Sequence, residues 1–448
     1  MPSRSVLSGA AALQPSRRTV LASLAGAAAL VGSAGASPAL ASSDKQKKGA
    51  SPRRITRTAW AGDAFTAGQG SGTTVSAAGL AFAAATSTRD YADPHAAGAP
   101  AVTYEVASWR SPVVAPGFGL TELVASWNAS TPGHSWVEVV VRGTADDGTQ
   151  TGWYVLGRWA ASDPAAGGAI HRTSLGGQAT TYATVYTDTL ATLNGHTLTD
   201  WQLEVRLLRP VGSSDVPTVA ALGAMASALP LDRTVAVSAT GPACGTTLAV
   251  PTYSQEVHIG HYPQWDNGGE AWCSPTSTSM VVAYWGAGPS AAETAWVDPP
   301  VDAQVDFTAR NVFDYTYNGA GNWPFNTAYA ATRGLDGFVT RLRTLTEAEA
   351  FIAAGIPLVV SVSFKKGELT GAGYGTNGHL MVIVGFTATG DVVVNDPASH
   401  LIPDDNQVRV TYFRSEFENV WIPRTGGIAY VIHPKDHPLP AAPAEANW

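Results

Sequence analysis

Two apolar segments in the last quarter of the chain, at residues 378–386 and 391–396, constrain its fold more than any other feature. Each segment is rich in valine and other residues typical of buried strands. Gly390 stands at a turn signal between them, so they predict an antiparallel hairpin. In such a hairpin the start of the first strand lies near the end of the second. His379 and Asp396 occupy these two ends, and we therefore expect an imidazole beside a carboxylate.

A second feature is Cys273, one of only two cysteines in 448 residues. It stands just before a predicted helix, because Ser274 is a good cap residue and Pro275 suits a first helical position. An apolar face follows, and Gly286 ends the helix. The unpaired amides and the positive dipole end at a helix start favour thiolate over thiol. Cys273 is therefore a predicted nucleophile.

The order of these residues along the chain is that of a catalytic triad. Cys273 supplies the nucleophile, His379 the general base, and Asp396 the carboxylate that fixes the imidazole tautomer. A glutamine, Gln264, lies upstream of the cysteine. The arrangement resembles the papain-like cysteine peptidases. It is most similar to cysteine-peptidase family 39, the type that processes bacteriocin leaders, and to the secreted relatives of that family.

The resemblance covers roughly residues 250–434 and rests on Gln264, the segment 272–277, the strand 378–385 and the segment 394–397. It implies a peptide or protein substrate, a thioester acyl-enzyme, no cofactor and no metal. It also implies that Gln264 donates a hydrogen bond to the oxyanion. Gln264 lies nine residues before the cysteine, further than the family pattern usually has it. The papain signature Cys-Gly-Ser-Cys-Trp is absent, so papain's substrate preference is not implied.

Other interpretations of the same residues remain open. Cys273 is half of a disulfide with Cys244 if the two cysteines of an exported protein pair. His379 is then a buried histidine satisfied by backbone groups, and Asp396 starts a turn. The matching function is that of a non-catalytic protein that binds the cell wall. Within enzymes, the alternatives are a cell-wall amidopeptidase and a transglutaminase-like acyl transferase, since both use a cysteine and a histidine.

The N-terminus resembles an export signal. Arg17 and Arg18 precede an apolar stretch rich in alanine and leucine, and a small-x-small cleavage pattern ends at Ala41. Paired arginines in this context indicate the twin-arginine pathway of bacteria. We therefore expect residues 1–41 to be removed and the protein to be secreted, with no membrane contact afterwards. Removing this leader changes the net charge from −8 to −11, which argues against a nucleic-acid partner.

About 400 residues remain after the leader, which is too many for one ordinary core. We expect a flexible linker at 42–54, an all-β, jelly-roll-like sandwich at 55–240, an α+β papain-like peptidase domain at 241–434 and a flexible tail at 435–448. The sandwich is predicted from alternating strands such as 135–142 and 152–159, with the turn signal 146–148 between those two.

Two further sets of residues have weaker signals. Trp136, Trp153 and Trp159 stack on sugars if they are exposed, which makes cell-wall polysaccharide a possible partner, but tryptophan on an alternating strand is more often core. His258 and His261 have a spacing seen in metal sites. No third ligand is evident from the sequence, so a solvated loop is the expectation.

Overall fold

The computed structural model describes residues 52–230 and 235–448. The predicted signal peptide and most of the predicted linker at 42–54 lie outside the described residues. Within the described part of the chain, none of the helices has the length and apolar character needed to cross a bilayer.

The N-terminal part, up to residue 228, is built from antiparallel strands, and its described residues contain no α-helix. The strands are β1 (Arg54–Ala61), β2 (Gln69–Ser71), β3 (Thr73–Ser76), β4 (Gly79–Phe82), β5 (Ser87–Tyr91), β6 (Val102–Arg110), β7 (Glu122–Ser130), β8 (Trp136–Ala145), β9 (Tyr154–Trp159), β10 (Ala183–Tyr186), β11 (Thr189–Thr192), β12 (Leu198–Pro210) and β13 (Thr218–Ala228). One sheet has the order β10-β11-β7-β13-β4-β3, with β1 also paired to β13. The other has the order β2-β6-β12-β8-β9, with β5 also paired to β6. The predicted all-β sandwich is confirmed.

The tryptophans considered for sugar binding lie mostly in cores. Trp136 and Trp159 are fully buried, so the idea that they stack on a sugar is wrong. Trp159 points into the main core, whereas Trp136 is buried on the opposite face of the sheet in a smaller cluster with Tyr91 and Tyr104, and burying a large apolar surface is favourable in both places. Trp153 is half-buried, and the guanidinium groups of Arg110 and Arg142 lie 5.3 and 4.6 Å from its ring centre. Arginine side chains therefore already contact the one partly exposed ring of the three.

The C-terminal part combines five α-helices with a six-stranded antiparallel sheet among its described residues. The helices are α1 (Cys273–Tyr284), α2 (Ala303–Val312), α3 (Trp323–Thr332), α4 (Leu345–Ala353) and α5 (Arg414–Thr425). The strands are β14 (Leu335–Arg341), β15 (Leu358–Phe364), β16 (Thr376–Phe386), β17 (Val392–Asn395), β18 (Arg409–Tyr412) and β19 (Ile428–Pro434). Their order is β14-β19-β15-β16-β17-β18. The predicted α+β class is confirmed.

Helices cover both faces of this sheet, which explains why its strands are apolar throughout. Along β16, Val382 and Val384 join the core that contains α1, α2 and α3, whereas Met381 and Ile383 join the core that contains α4 and α5. Successive side chains point to opposite faces of a strand, so both sets are buried.

The two parts share one hydrophobic core, and all described residues belong to one compact unit. Phe325 of α3 is fully buried, and its ring centre lies 5.3 Å from that of Trp159 and 6.1 Å from that of Trp127 in the sandwich. The backbone amide of Val339 on β14 donates to Oγ of Ser126 on β7 at 2.8 Å. The helices of the C-terminal part thus complete the core of the N-terminal part.

The predicted flexible tail at 435–448 is packed against the protein, so this prediction was wrong. Glu445 pairs with Arg54 of β1 at 3.0 Å. Asn447 is fully buried and donates to the backbone oxygen of Arg341 at 2.7 Å, and the ring of Trp448 packs on Phe351. Proline and alanine dominate the tail's composition, but its last few polar and aromatic residues make the contacts.

Candidate active site

His379 and Asp396 lie together, as the hairpin predicts. His379 is near the start of β16, and Asp396 follows the last residue of β17. The two strands pair antiparallel, with Val382 opposite Asn395. The imidazole Nε2 lies 2.8 Å from Oδ1 of the carboxylate, and both side chains are buried. The hairpin therefore leaves Nδ1 as the ring nitrogen for another partner.

Two tyrosines that sequence analysis missed complete the surroundings of Asp396. The hydroxyl of Tyr412, on β18, donates to Oδ2 at 2.8 Å, and that of Tyr374 contacts both carboxylate oxygens at 2.9 and 3.0 Å. The amide of Ala398 donates to Oδ1 at 3.0 Å. Burial raises the pKa of Asp396, but the charge and hydrogen bond of His379 and the two tyrosine hydroxyls outweigh it and hold the pKa below 3.8. The carboxylate therefore stays ionised although no water reaches it.

The electrostatics of this pair favour a charged imidazole. Burial by itself lowers the pKa of His379, but the charge of Asp396 and its hydrogen bond outweigh that effect. A side-chain hydrogen bond and a charge interaction with Cys273 add to the increase, and the pKa rises from 6.5 to about 10. Cys273 thus interacts with the same imidazole that Asp396 orients.

Cys273 is half-buried and is the first residue of α1. The predicted cap is wrong, because Ser274 lies inside the helix and its hydroxyl pairs with that of Tyr430 at 2.9 Å. The helix ends at Tyr284 and is buried on all sides from 274 to 282, since it lies between the sheet and α2 and α3. Ser277 donates to the backbone oxygen of Leu380 at 3.1 Å. This bond fixes α1 to the residue that follows His379.

The predicted oxyanion donor, Gln264, is exposed in a turn and makes no hydrogen bond with Cys273, His379 or Asp396. A different glutamine, Gln255, is 3% exposed at the start of a short 3-10 helix, Gln255–His258. The backbone amide of Gln255 donates to the backbone oxygen of Pro397, the residue after Asp396, at 2.9 Å. Its side-chain Nε2 donates to the backbone oxygen of Glu270, also at 2.9 Å. Gln255 therefore bridges the residue that follows Asp396 and the segment that leads into Cys273.

The neighbouring carboxyl of Glu256 also belongs to this side of the site. Burial raises its pKa, and the charge of His379 only partly opposes that increase. No sequence pattern pointed to Gln255 or Glu256, because a loop residue has no periodicity and Gln264 was the nearer glutamine. Their role depends on how the chain folds back over the hairpin.

The two cysteines are not paired in the structure. Cys244 is exposed, and its Sγ lies 3.8 Å from Oε2 of Glu349 on α4. Residue 244 forms a bridge with Phe386 at the far end of β16 from His379. The disulfide between Cys244 and Cys273 that the sequence left open is therefore wrong for this structure.

The expectation of a solvated loop at His258 and His261 is also wrong. His258 is fully buried and His261 is 12% exposed, because the segment packs against the start of α2. A third group, Asp306 of α2, lies beside both imidazoles. It is 45 residues away in sequence from the nearer histidine, which is why no local pattern indicated it.

Two family matches agree with this architecture. Residues 56–227 match the family described as the peptidase C39 N-terminal domain, in its actinobacterial form, and residues 247–428 match the peptidase C39-like family. The all-β part and the α+β part thus each correspond to one of these families. The fold is that of a cysteine peptidase. Together the two matches support a C39-like cysteine peptidase of the actinobacterial kind.

Comparisons with curated proteins and with solved structures support no further statement about this chain. No curated protein matches this chain. One similar solved structure comes from work on the promiscuous specificity of carbohydrate-binding modules of the β-sandwich superfamily. It is 7% identical over 39% of this chain and 58% of that chain, with a TM-score of 0.14. A likeness of this size carries no argument about fold or ligand.

Proposed function

We propose that the protein is an exported cysteine peptidase that hydrolyses peptide bonds with Cys273, His379 and Asp396. The observation that carries the proposal is the buried His379–Asp396 pair, whose imidazole also interacts with a cysteine at the start of a helix. A merely structural histidine does not need a carboxylate with four hydrogen-bond donors on one side and a thiol on the other.

In this mechanism His379 takes the proton of Cys273, and the thiolate attacks the carbonyl carbon of the substrate. The charge that develops on the carbonyl oxygen is stabilised by the backbone amide of Cys273 and, in place of Gln264, by the side chain of Gln255. The imidazolium then gives its proton to the leaving amine, and a thioester remains. His379 next takes a proton from water, the hydroxide attacks the thioester, and the acid product leaves as Cys273 regains its proton.

Asp396 acts throughout as the group that keeps Nε2 of His379 protonated and oriented. Its hydrogen bonds with Tyr374 and Tyr412 hold the carboxylate in one position. A carboxylate fixed in this way stabilises the imidazolium without accepting its proton.

Selective alkylation tests the nucleophile. Iodoacetamide on the folded, unreduced protein should label Cys273 faster than Cys244 and should still do so below neutral pH, because His379 is charged there and stabilises the thiolate. Cys244 is an internal control, since it is the more exposed thiol but lies beside the carboxylate of Glu349. Faster labelling of Cys244, or a disulfide between the two cysteines, would contradict the proposal.

The reaction class is tested with a peptide library and purified peptidoglycan, using Cys273→Ala as the inactive control. Acid products in water support a peptidase or an amidopeptidase, and cleavage of peptidoglycan alone identifies the latter. An amide product formed with an added amine would identify an acyl transferase instead.

Export and the role of the sandwich are separate parts of the proposal. Recovery of the protein in the culture medium, lost when Arg17 and Arg18 are both changed to lysine, would support twin-arginine export. Retention on insoluble cell-wall polysaccharide would support a wall-binding sandwich. Absence of retention would leave the sandwich as the structural partner of the peptidase part, which the shared core favours.

A further inference from the structure

The cluster of His258, His261 and Asp306 lies outside the proposed catalytic residues and is not explained by them. Nδ1 of His258 lies 3.0 Å from Oδ2 of Asp306, and Nδ1 of His261 lies 3.1 Å from Oδ1. One ligand atom from each residue fits within 4.8 Å of the others. His258 and Asp306 are fully buried. Three good metal ligands thus converge in a place that water hardly reaches.

Hydrogen bonding satisfies only part of this cluster, namely the contact of Nδ1 of His261 with Oδ1 of Asp306 at 3.1 Å. Neither ring nitrogen of His258 makes a hydrogen bond with any described residue, and the same holds for Oδ2 of Asp306, although the two groups are only 3.0 Å apart. Their contact has the distance of a hydrogen bond without its direction. Buried polar groups of folded proteins are nearly always paired, and a buried unpaired group costs free energy. A shared ion between the two groups would satisfy both.

The separations fit a metal polyhedron. Zinc binds imidazole nitrogen at about 2.0–2.1 Å and carboxylate oxygen at about 2.0–2.2 Å, so neighbouring ligand atoms of a tetrahedral site lie about 3.4 Å apart. The observed 3.0 and 3.1 Å, each to a different oxygen of Asp306, are close to this value, and the three ligand atoms lie within 4.8 Å of one another before an ion draws them together. The His258–Asp306 contact lacks the direction of a hydrogen bond, as expected for two ligand atoms that face an ion, and ion binding would replace the hydrogen bond of His261 with Oδ1 of Asp306.

We propose that His258, His261 and Asp306 form a binding site for one divalent transition-metal ion, of which zinc fits best. Two imidazoles and one carboxylate suit zinc and its first-row neighbours better than the oxygen-preferring magnesium or calcium. The three protein ligands leave a fourth position for water or another ligand. The ion joins the 3-10 helix Gln255–His258 to α2.

The proposed metal site lies close to Gln255 in the chain, so a bound ion affects how Gln255 is held in the active site. Gln255 lies one turn before His258 on the same 3-10 helix. The loop that leads to Cys273 packs directly on this segment, because a Cβ on Gly269 would lie only 2.3 Å from the backbone of His258. Metal binding therefore fixes Gln255 relative to Cys273. This consequence, unlike the metal site itself, rests on the proposed role of Gln255.

The test uses the full chain with Cys273→Ala, because a thiolate beside an imidazole also binds zinc. The protein is dialysed against a chelator, titrated with zinc by calorimetry, and passed over a gel-filtration column before elemental analysis. We expect about one zinc per chain and a rise in thermal midpoint on adding zinc, since a ligand that binds only the folded state stabilises it. Cobalt should give the visible absorption of a tetrahedral nitrogen and oxygen site.

Asp306→Asn and His261→Gln, made in the same background, remove one ligand each with little change in size. Loss of an outer-shell partner typically weakens metal binding 10–100-fold, so loss of a ligand should weaken it by at least about 100-fold. The matched control is His196→Gln, because His196 pairs with Asp146 at 2.8 Å without a third ligand. Circular dichroism verifies that each variant is folded.

Two results would overturn the proposal of a metal site. If the Cys273→Ala protein neither retains zinc nor gains thermal stability from it, the proposal is overturned whatever the variants do. Equal zinc affinity in Asp306→Asn, His261→Gln and the parent protein also overturns it, because the ion then lies elsewhere. None of these measurements uses catalytic activity, so failure of the proposed peptidase function would not affect them.

Discussion

The shared core predicts that the two parts of the chain unfold together, and Phe325→Ala tests this directly. Phe325 belongs to α3 of the peptidase part, but its ring packs between Trp127 and Trp159 of the sandwich. It also touches the backbone of β9, since a Cβ on Gly157 would lie 3.0 Å from Cε1 of the ring. Removing a buried phenylalanine ring typically costs about 3–5 kcal/mol.

We expect the upper half of that range, about 4–5 kcal/mol, because paired strands and two large indoles hold the walls of the cavity apart. Domains have total stabilities of about 5–15 kcal/mol, so the loss is a large share of the whole. The matched control is Phe413→Ala. This phenylalanine is 56% exposed, and its loss should change stability by no more than about 0.5 kcal/mol.

The assay is urea unfolding. Hydrogen exchange and mass spectrometry monitor the unfolding of one peptide from each part of the chain. β12 (Leu198–Pro210) reports on the sandwich and β15 (Leu358–Phe364) on the peptidase sheet. The wild-type protein should show one midpoint for both peptides, and Phe325→Ala should lower both equally. A loss below about 1 kcal/mol, or a shift confined to one peptide, would refute the reasoning and make the two parts independent domains.

Four further predictions concern the site and the fragment. Gln255→Ala should lower kcat by about 10²–10³-fold, as loss of an oxyanion donor does, whereas Gln264→Ala should leave kcat unchanged in the same peptide assay. Asp396→Ala should leave the fold intact by circular dichroism and lower turnover by orders of magnitude. Asp396→Asn should lower turnover less, because its amide oxygen still accepts a hydrogen bond. Full activity in Asp396→Ala would assign the orienting role to another residue. Because folding raises the pKa of His379 from 6.5 to about 10, this group stabilises the fold fully below pH 6.5 and loses that effect as pH rises through 10. Urea unfolding at stepped pH should show a smaller decline in that window for His379→Gln than for the wild type. A fragment that begins near Pro251 should be insoluble, because its α3 face would present an apolar patch to water, and a soluble, folded fragment would contradict the shared core.

Local patterns were sufficient to predict the fold class and the meeting of His379 with Asp396. Strand alternation in the first half predicted an all-β part, and the hairpin predicted that His379 and Asp396 meet. These features depend on residues close together in the chain, where a period of two acts directly on the backbone.

Other features depended on contacts between distant segments, and sequence patterns failed there. The tail, predicted to be flexible, packs on β1 and α4 through its last four residues.

The sequence by itself determined that Cys273 stands at a helix start and that His379 lies beside Asp396, because a helix start and a tight hairpin are local structures. Only the tertiary structure decided which glutamine faces the site, which tyrosines hold Asp396, and that Asp306 joins His258 and His261. The partners in these contacts lie apart in the chain: Tyr412 and Asp396 are separated by 16 residues, and Asp306 and His258 by 48. No periodicity links such residues. They meet because burying the apolar faces of the sheet and helices leaves one arrangement of the loops in which the buried polar groups find partners.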